Sequence, residues 1–120
     1  MNPGRYFPDE YVGDVFTIDY AELWRKGYRA IIFDIDNTLV PHGADSTPEV
    51  DALFSRLHSD GWATLLLSNN NEARISRFNR NIGTLYIAEG GKPSPEGFRR
   101  AVEMLGAGAD RTLVIGDTTW

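Results

Sequence analysis

The run Ile31-Ile32-Phe33-Asp34-Ile35-Asp36-Asn37-Thr38-Leu39-Val40 constrains this chain most, because an apolar segment of strand length delivers two carboxylates, one residue apart, at its end. Side chains alternate along a strand, so Asp34 and Asp36 share a face if the strand runs on regularly through them. Two like charges buried side by side are costly, and a divalent cation is the group best suited to offset that cost.

The remaining chain repeats an alternation of short apolar runs and amphipathic segments. Asp19 is placed to cap a helix over residues 20–26 that Gly27 ends, and residues 28–34 form the first strand. Ser46 and Glu49 have capping-box spacing, Pro48 suits a first turn, and Val50, Leu53, Phe54 and Leu57 recur on one helical face before Gly61. Residues 62–67 read as the second strand. Ser68-Asn69-Asn70-Asn71 follows, with Asn71 as cap of a helix that buries Ile75, Phe78 and Ile82 before Gly83. Residues 84–88 are the third strand. Ser94 and Pro95 then open a helix with Phe98, Ala101, Val102 and Leu105 on one face, and residues 112–115 are the fourth strand. Strands that alternate with helices imply an α/β fold on a parallel sheet, in which ligands gather beyond the carboxyl ends of the strands.

A length of 120 residues suits a single domain, with residues 1–27 as an aromatic lead-in and 28–117 as the core. No cysteine is present, so any metal is held by oxygen or imidazole. The net charge of -5 opposes non-specific attraction to nucleic acid. The start shows no secretory signal pattern, and no apolar stretch is long enough to span a bilayer, which makes cytoplasm the default compartment.

Four polar features follow directly after strands: Asp34 with Asp36, Ser68 with its asparagines, Lys92 before Pro93, and Asp117 after Gly116. Singly, each is an ordinary turn or cap residue. Their order resembles the haloacid dehalogenase-like phosphohydrolase superfamily, from about Tyr28 to Asp117. The lead-in Pro8-Asp9-Glu10-Tyr11-Val12, the Ile18-Asp19-Tyr20 segment, Asp36-Asn37-Thr38-Leu39-Val40 and Ser68-Asn69-Asn70-Asn71-Glu72 resemble the YqeG-type phosphatases, relatives of phosphatidylglycerophosphatases.

That resemblance implies a Rossmann-like three-layer fold with strand order 3-2-1-4. It implies a phosphomonoesterase in which Asp34 is the nucleophile, forming an aspartyl-phosphate, and Asp36 is general acid and then base. It implies Mg²⁺ held by Asp34, the Asp36 carbonyl and Asp117, with Ser68, the Asn69 N–H and Lys92 on the phosphate. Thr38 either fixes the loop by a hydroxyl bond to backbone or contacts phosphate.

Relatives often carry an inserted cap domain. Here only residues 41–46 separate the first motif from its helix, and residues 89–91 separate the third strand from Lys92. A capless, open site suits a bulky or lipid-linked phosphate such as phosphatidylglycerophosphate, with peripheral membrane contact. The aromatics Tyr6, Phe7, Tyr11, Phe16, Tyr20 and Trp24 are expected to pack over a sheet face, Arg74, Arg77 and Arg80 to form a solvated helix face, and His42 and His58 to be surface residues rather than ligands. The family pattern continues past Asp117, whereas the chain stops at Trp120; the fourth strand is therefore expected as an open sheet edge that invites a homo-oligomer. The alternatives are a catalytically impaired scaffold of the same fold and a phospho-accepting receiver domain, whose order of strand-end residues disagrees.

Overall fold

The computed structural model describes residues 9–11, 14–89 and 95–116. Five parallel strands make its sheet: β1 (Asp9–Tyr11), β2 (Ala30–Phe33), β3 (Ala63–Leu67), β4 (Leu85–Ile87) and β5 (Thr112–Ile115). Among the described residues four α-helices accompany them: α1 (Tyr20–Arg25), α2 (Pro48–Ser59), α3 (Glu72–Phe78) and α4 (Pro95–Leu105). Read across the sheet, the order is β4-β3-β2-β5-β1. The four strands expected from periodicity thus stand in the order 3-2-1-4, as the family resemblance implies.

Both sheet faces are covered, which is why β2, β3 and β5 are near-continuous apolar runs rather than alternating ones. Ile31 and Phe33 of β2, Leu66 of β3 and Leu113 and Ile115 of β5 face Val50, Leu53, Phe54, Leu57, Ile75 and Phe78 from α2 and α3. Ile32, Leu65, Leu67, Ile87 and Val114 point the other way, against Ala101, Phe98, Val102 and Leu105 of α4. Phe33 and Phe54 meet with ring centroids 4.9 Å apart. With core side chains on both faces, β2 cannot slip by one residue without exchanging them, so the position of Asp34 just past its end is fixed by packing.

Several expectations are corrected in detail. Thr47, not Ser46, caps α2: its extended backbone turns Oγ1 toward the Val50 N–H at 3.1 Å, while the Ser46 hydroxyl donates to Asp51 at 2.7 Å. Asn71 does cap α3, accepting from the Arg74 N–H, but the helix ends at Phe78 and Ile82 packs on the core from the turn beyond. There Asn79 bonds both the carbonyl and the N–H of Thr84, a side chain standing in for backbone pairing at the entry to β4.

The expected bare edge on the fourth strand is occupied. Segment β1 pairs in parallel with β5, Asp9 opposite Leu113 and Tyr11 opposite Ile115, and this removes the basis for an oligomer built through that edge. Backbone groups make that pairing, so a three-residue strand without an apolar run leaves no periodic trace. From the lead-in, Tyr20 and Trp24 pack edge-on to Trp62, with Trp24 and Trp62 centroids 5.3 Å apart, whereas Phe16 is exposed. Tyr6 and Phe7 lie outside the described residues. No helix among the described residues is long and apolar enough to cross a membrane.

Candidate active site

Strands β2 and β5 end level, Phe33 opposite Ile115, while Phe33 pairs with Leu66 of β3, which runs one residue further. The Asp34 N–H continues that ladder, donating to the Ile115 carbonyl at 3.0 Å. Strand geometry stops there, so Asp34 and Asp36 do not sit on a regular strand as their spacing suggests. Ile35 turns fully inward, and its carbonyl accepts from the N–H groups of Thr38, Leu39 and Val40, wrapping the chain into a tight loop in which Asn37 takes φ 62°. Asp34 is half-buried, and its Oδ1 accepts from the Ile35 N–H at 2.9 Å.

Asp36 is the most heavily bonded group of the loop. Its Oδ1 accepts from the Gly43 N–H at 2.8 Å and Arg74 Nη2 at 3.1 Å; its Oδ2 accepts from Asn70 Nδ2 at 2.7 Å and Arg74 Nη1 at 3.1 Å. A carboxylate offers about four lone-pair sites, and these donors fill them. Partial burial works against the charged form, but the bonds from Arg74, Gly43 and Asn70 and the guanidinium charge outweigh it, holding the carboxyl at about 2 against an ordinary 3.8.

Ser68 is buried directly after β3, its N–H on the Ile87 carbonyl at 3.1 Å. Its Oγ accepts from the Asn70 N–H at 3.1 Å and from Asn70 Nδ2 at 2.9 Å. Those two bonds take both lone pairs of Oγ and leave the hydroxyl hydrogen of Ser68 as its remaining hydrogen-bonding capacity. Asn69 is exposed beside it. Thr38 is half-buried, and among the described residues its Oγ1 has no partner, so the loop is fixed by the Thr38 main chain and not by its hydroxyl. Lys92 and Asp117 lie outside the described residues. The chain leading to each is held at the same end of the sheet, Glu89 by its N–H on the Asn70 carbonyl at 2.8 Å, and Gly116 by following β5.

Arg74 and Asn70 are the site residues that sequence reasoning misplaced or passed over. Arg74 is not part of a solvated face: it is 9% exposed, and Nη2 also donates to the Ala44 carbonyl at 2.8 Å. Arg77 pairs with Asp45 at the surface and Arg80 is exposed. The available signal was that Arg74 precedes Phe78 by four and adjoins Ile75, which puts it on the edge of the buried stripe. His42 is 81% exposed, 3.9 Å from Asp36, and His58 bonds Thr64 rather than any site group.

The donors suited to a hard cation are oxygens: the Asp34 carboxylate and the Asp36 main-chain carbonyl, which accepts no hydrogen bond among the described residues. The Asp36 carboxylate is already saturated, so a cation would meet the carbonyl of this residue and not its side chain. Among the described residues no group of three or more histidines and acids is placed to hold a metal.

Over 113 residues the chain is 34% identical to "Probable phosphatase YqeG" of Bacillus subtilis (strain 168), covering 93% of this chain and 66% of that protein. It is 27% identical over 138 residues to a phosphoglycolate phosphatase of Aquifex aeolicus (strain VF5), covering 95% and 61%. A phosphoglycolate phosphatase of Neisseria gonorrhoeae (strain ATCC 700825 / FA 1090) is 29% identical over 136 residues, covering 92% and 56%. The chain therefore spans between 56% and 66% of the length of these relatives. No solved structure gives a significant match. A family model for haloacid dehalogenase-like hydrolases matches residues 42–120, about two thirds of the chain and all of it beyond the Asp34 to Thr38 loop, and the chain belongs to that family.

Proposed function

We propose that this chain carries the catalytic core of a Mg²⁺-dependent phosphomonoesterase working through an aspartyl-phosphate on Asp34. The observation that carries the reading is the Asn70 amide, which joins Asp36 after β2 to Ser68 after β3 and so unites two motifs 32 residues apart in the sequence. Hydrolase relatives that bear phosphatase names support the class.

In this reading the phosphate seats on the hydroxyl hydrogen of Ser68 and the Asn69 N–H, with Lys92 adding positive charge. An Asp34 oxygen attacks phosphorus and the ester P–O bond breaks; Asp36, having first taken up a proton from solvent against the bonds that favour its charged form, gives that proton to the leaving alkoxide. Water then attacks the same phosphorus, its proton passes to Asp36, and the Asp34–phosphorus bond breaks to restore the carboxylate. Each proton exchange at Asp36 requires one of its four hydrogen-bond donors to let go. Asp34, the Asp36 carbonyl and Asp117 would hold Mg²⁺, whose chemistry here is to neutralise charge between carboxylate and phosphate.

The 41–46 loop is too short for an inserted cap, and an open mouth supports a bulky or lipid-linked phosphate such as phosphatidylglycerophosphate, met by a single domain at a membrane surface. Phosphate release should be assayed with and without Mg²⁺ on p-nitrophenyl phosphate, small sugar phosphates and vesicles containing phosphatidylglycerophosphate. Metal-dependent release that favours the vesicles is expected. No release from any of them would leave the scaffold reading in place, and preference for sugar phosphates would remove the lipid-linked substrate.

A further inference from the structure

Arg74 is the third residue of α3, its side chain 10% exposed, and its guanidinium makes three hydrogen bonds of unequal purpose. Nη1 and Nη2 grip the two oxygens of Asp36 at 3.1 Å each, while Nη2 also holds the Ala44 carbonyl at 2.8 Å. One turn further on, Arg77 Nε reaches Asp45 at 2.9 Å. Helix α3 therefore holds the 41–46 loop at two successive residues, and one of those two contacts also includes Asp36.

We propose that Arg74 is a positioning residue for hydrolysis: by gripping Asp36 and the Ala44 carbonyl together, it fixes the plane of the Asp36 carboxylate against the 41–46 loop and toward the substrate oxygen. The proposal rests on the phosphatase reading above. Asp36 belongs to no helix or strand, and the loop that carries it takes a left-handed backbone at Asn37, so its side-chain orientation has to be imposed from outside. A planar guanidinium with two parallel bonds fixes the plane of a carboxylate, whereas an ammonium supplies charge without that constraint. Asn70, which shares Asp36 Oδ2 with Arg74 Nη1, passes the same alignment to Ser68. Burial agrees with this role, since a nine-tenths buried arginine is retained at a cost that a purely solvated helix face does not carry.

The test compares Arg74→Met, Arg74→Lys and Arg77→Met, each checked for folding by circular dichroism, with p-nitrophenyl phosphate as probe. Misplacement of a catalytic group by about 1 Å costs on the order of 100-fold in rate. Arg74→Met is therefore expected to lower kcat by about that factor with KM within about threefold, and Arg74→Lys to fall between. Arg77→Met, which touches the loop without Asp36, is expected to keep kcat within about twofold by the same reasoning. The second readout is the Gly43 amide in a ¹H–¹⁵N spectrum, expected to move in both Arg74 variants and to stay in Arg77→Met, because that N–H reports directly on Asp36 Oδ1.

A folded Arg74→Met with unchanged kcat, or a Gly43 signal unmoved in Arg74→Lys, overturns the proposal. Should Arg74→Met fail to fold, Arg74→Lys decides. An inactive wild type would sink the phosphatase reading alone, and the Gly43 signal would still judge the positioning of Asp36.

Discussion

Asn70 Nδ2 lies 2.7 Å from an Asp36 oxygen and 2.9 Å from Ser68 Oγ, so one amide spends both its hydrogens joining the loop after β2 to the loop after β3. Replacing it by aspartate keeps the volume, removes both donors and adds a charge facing Asp36. Asn70→Asp is predicted to lose at least about 10-fold in kcat/KM, a single charge-assisted bond being worth roughly 1.5–3 kcal/mol. Steady-state kinetics on p-nitrophenyl phosphate check it, and a variant as active as wild type would detach Asn70 from the site.

Asp36 links the site to acid stability. Its carboxyl titrates at about 2 in the fold against 3.8 ordinarily, so the unfolded chain binds the proton more tightly. The resulting stabilisation is fully present above 3.8 and is lost as pH falls through 2; at 17% exposure, and allowing for solvent screening, it amounts to about 1–2 kcal/mol. Asp36→Asn is predicted to flatten urea-denaturation stability between pH 4 and pH 2 relative to wild type, the interval spanned by those two values. Parallel curves for the two proteins would contradict the assignment.

How much of this site could be read from the chain differs by residue. The apolar runs around Ile31 and Leu66 fixed their strands because burial on both faces leaves no other pattern, and Asn71 announced α3 because a cap needs only local geometry. Asp34 and Asp36 were legible as a site but not as a shape: the inward turn at Ile35, set by three N–H groups converging on its carbonyl, has no periodic signature. Arg74 was misread because the spacing of Arg74, Arg77 and Arg80 matches one helix face, while its burial depends on Asp36, 38 residues away. Segment β1 was missed because its pairing with β5 is a backbone event.

At the far end of the sheet, His58 Nε2 meets Thr64 Oγ1 at 2.7 Å, Thr64 Oγ1 meets Thr84 Oγ1 at 2.6 Å, and Thr84 Oγ1 donates to the Thr64 carbonyl at 2.8 Å. Since the Thr84 hydrogen goes to that carbonyl, Thr64 donates to Thr84 and His58 carries its hydrogen on Nε2. Burial lowers the His58 pKa from 6.5, so protons favour the unfolded chain and stability falls as pH drops through 6.5. His58→Gln is predicted to remove that slope from thermal melts; an unchanged slope would assign it elsewhere.

Gly61 takes φ 99°, and a Cβ there would stand 3.1 Å from Trp24, whereas at Gly27, with φ 107°, it would meet nothing within 4 Å. Both alanine variants carry backbone strain of about 1 kcal/mol or more. Gly61→Ala is predicted to lose more stability in urea than Gly27→Ala, because Trp24 is wedged against Trp62 and cannot retreat freely. Equal losses would mean that the Trp24 ring yields at no cost.

The central claim, that Asp34 attacks phosphorus, is tested most directly by acid-quenching the protein during turnover with Mg²⁺ and p-nitrophenyl phosphate and mapping phosphoryl adducts by peptide mass. A phosphoryl group on the peptide bearing Asp34 in wild type, with neither adduct nor phosphate release from a folded Asp34→Asn protein, is the predicted result. Phosphate released by Asp34→Asn at the wild-type rate would contradict it.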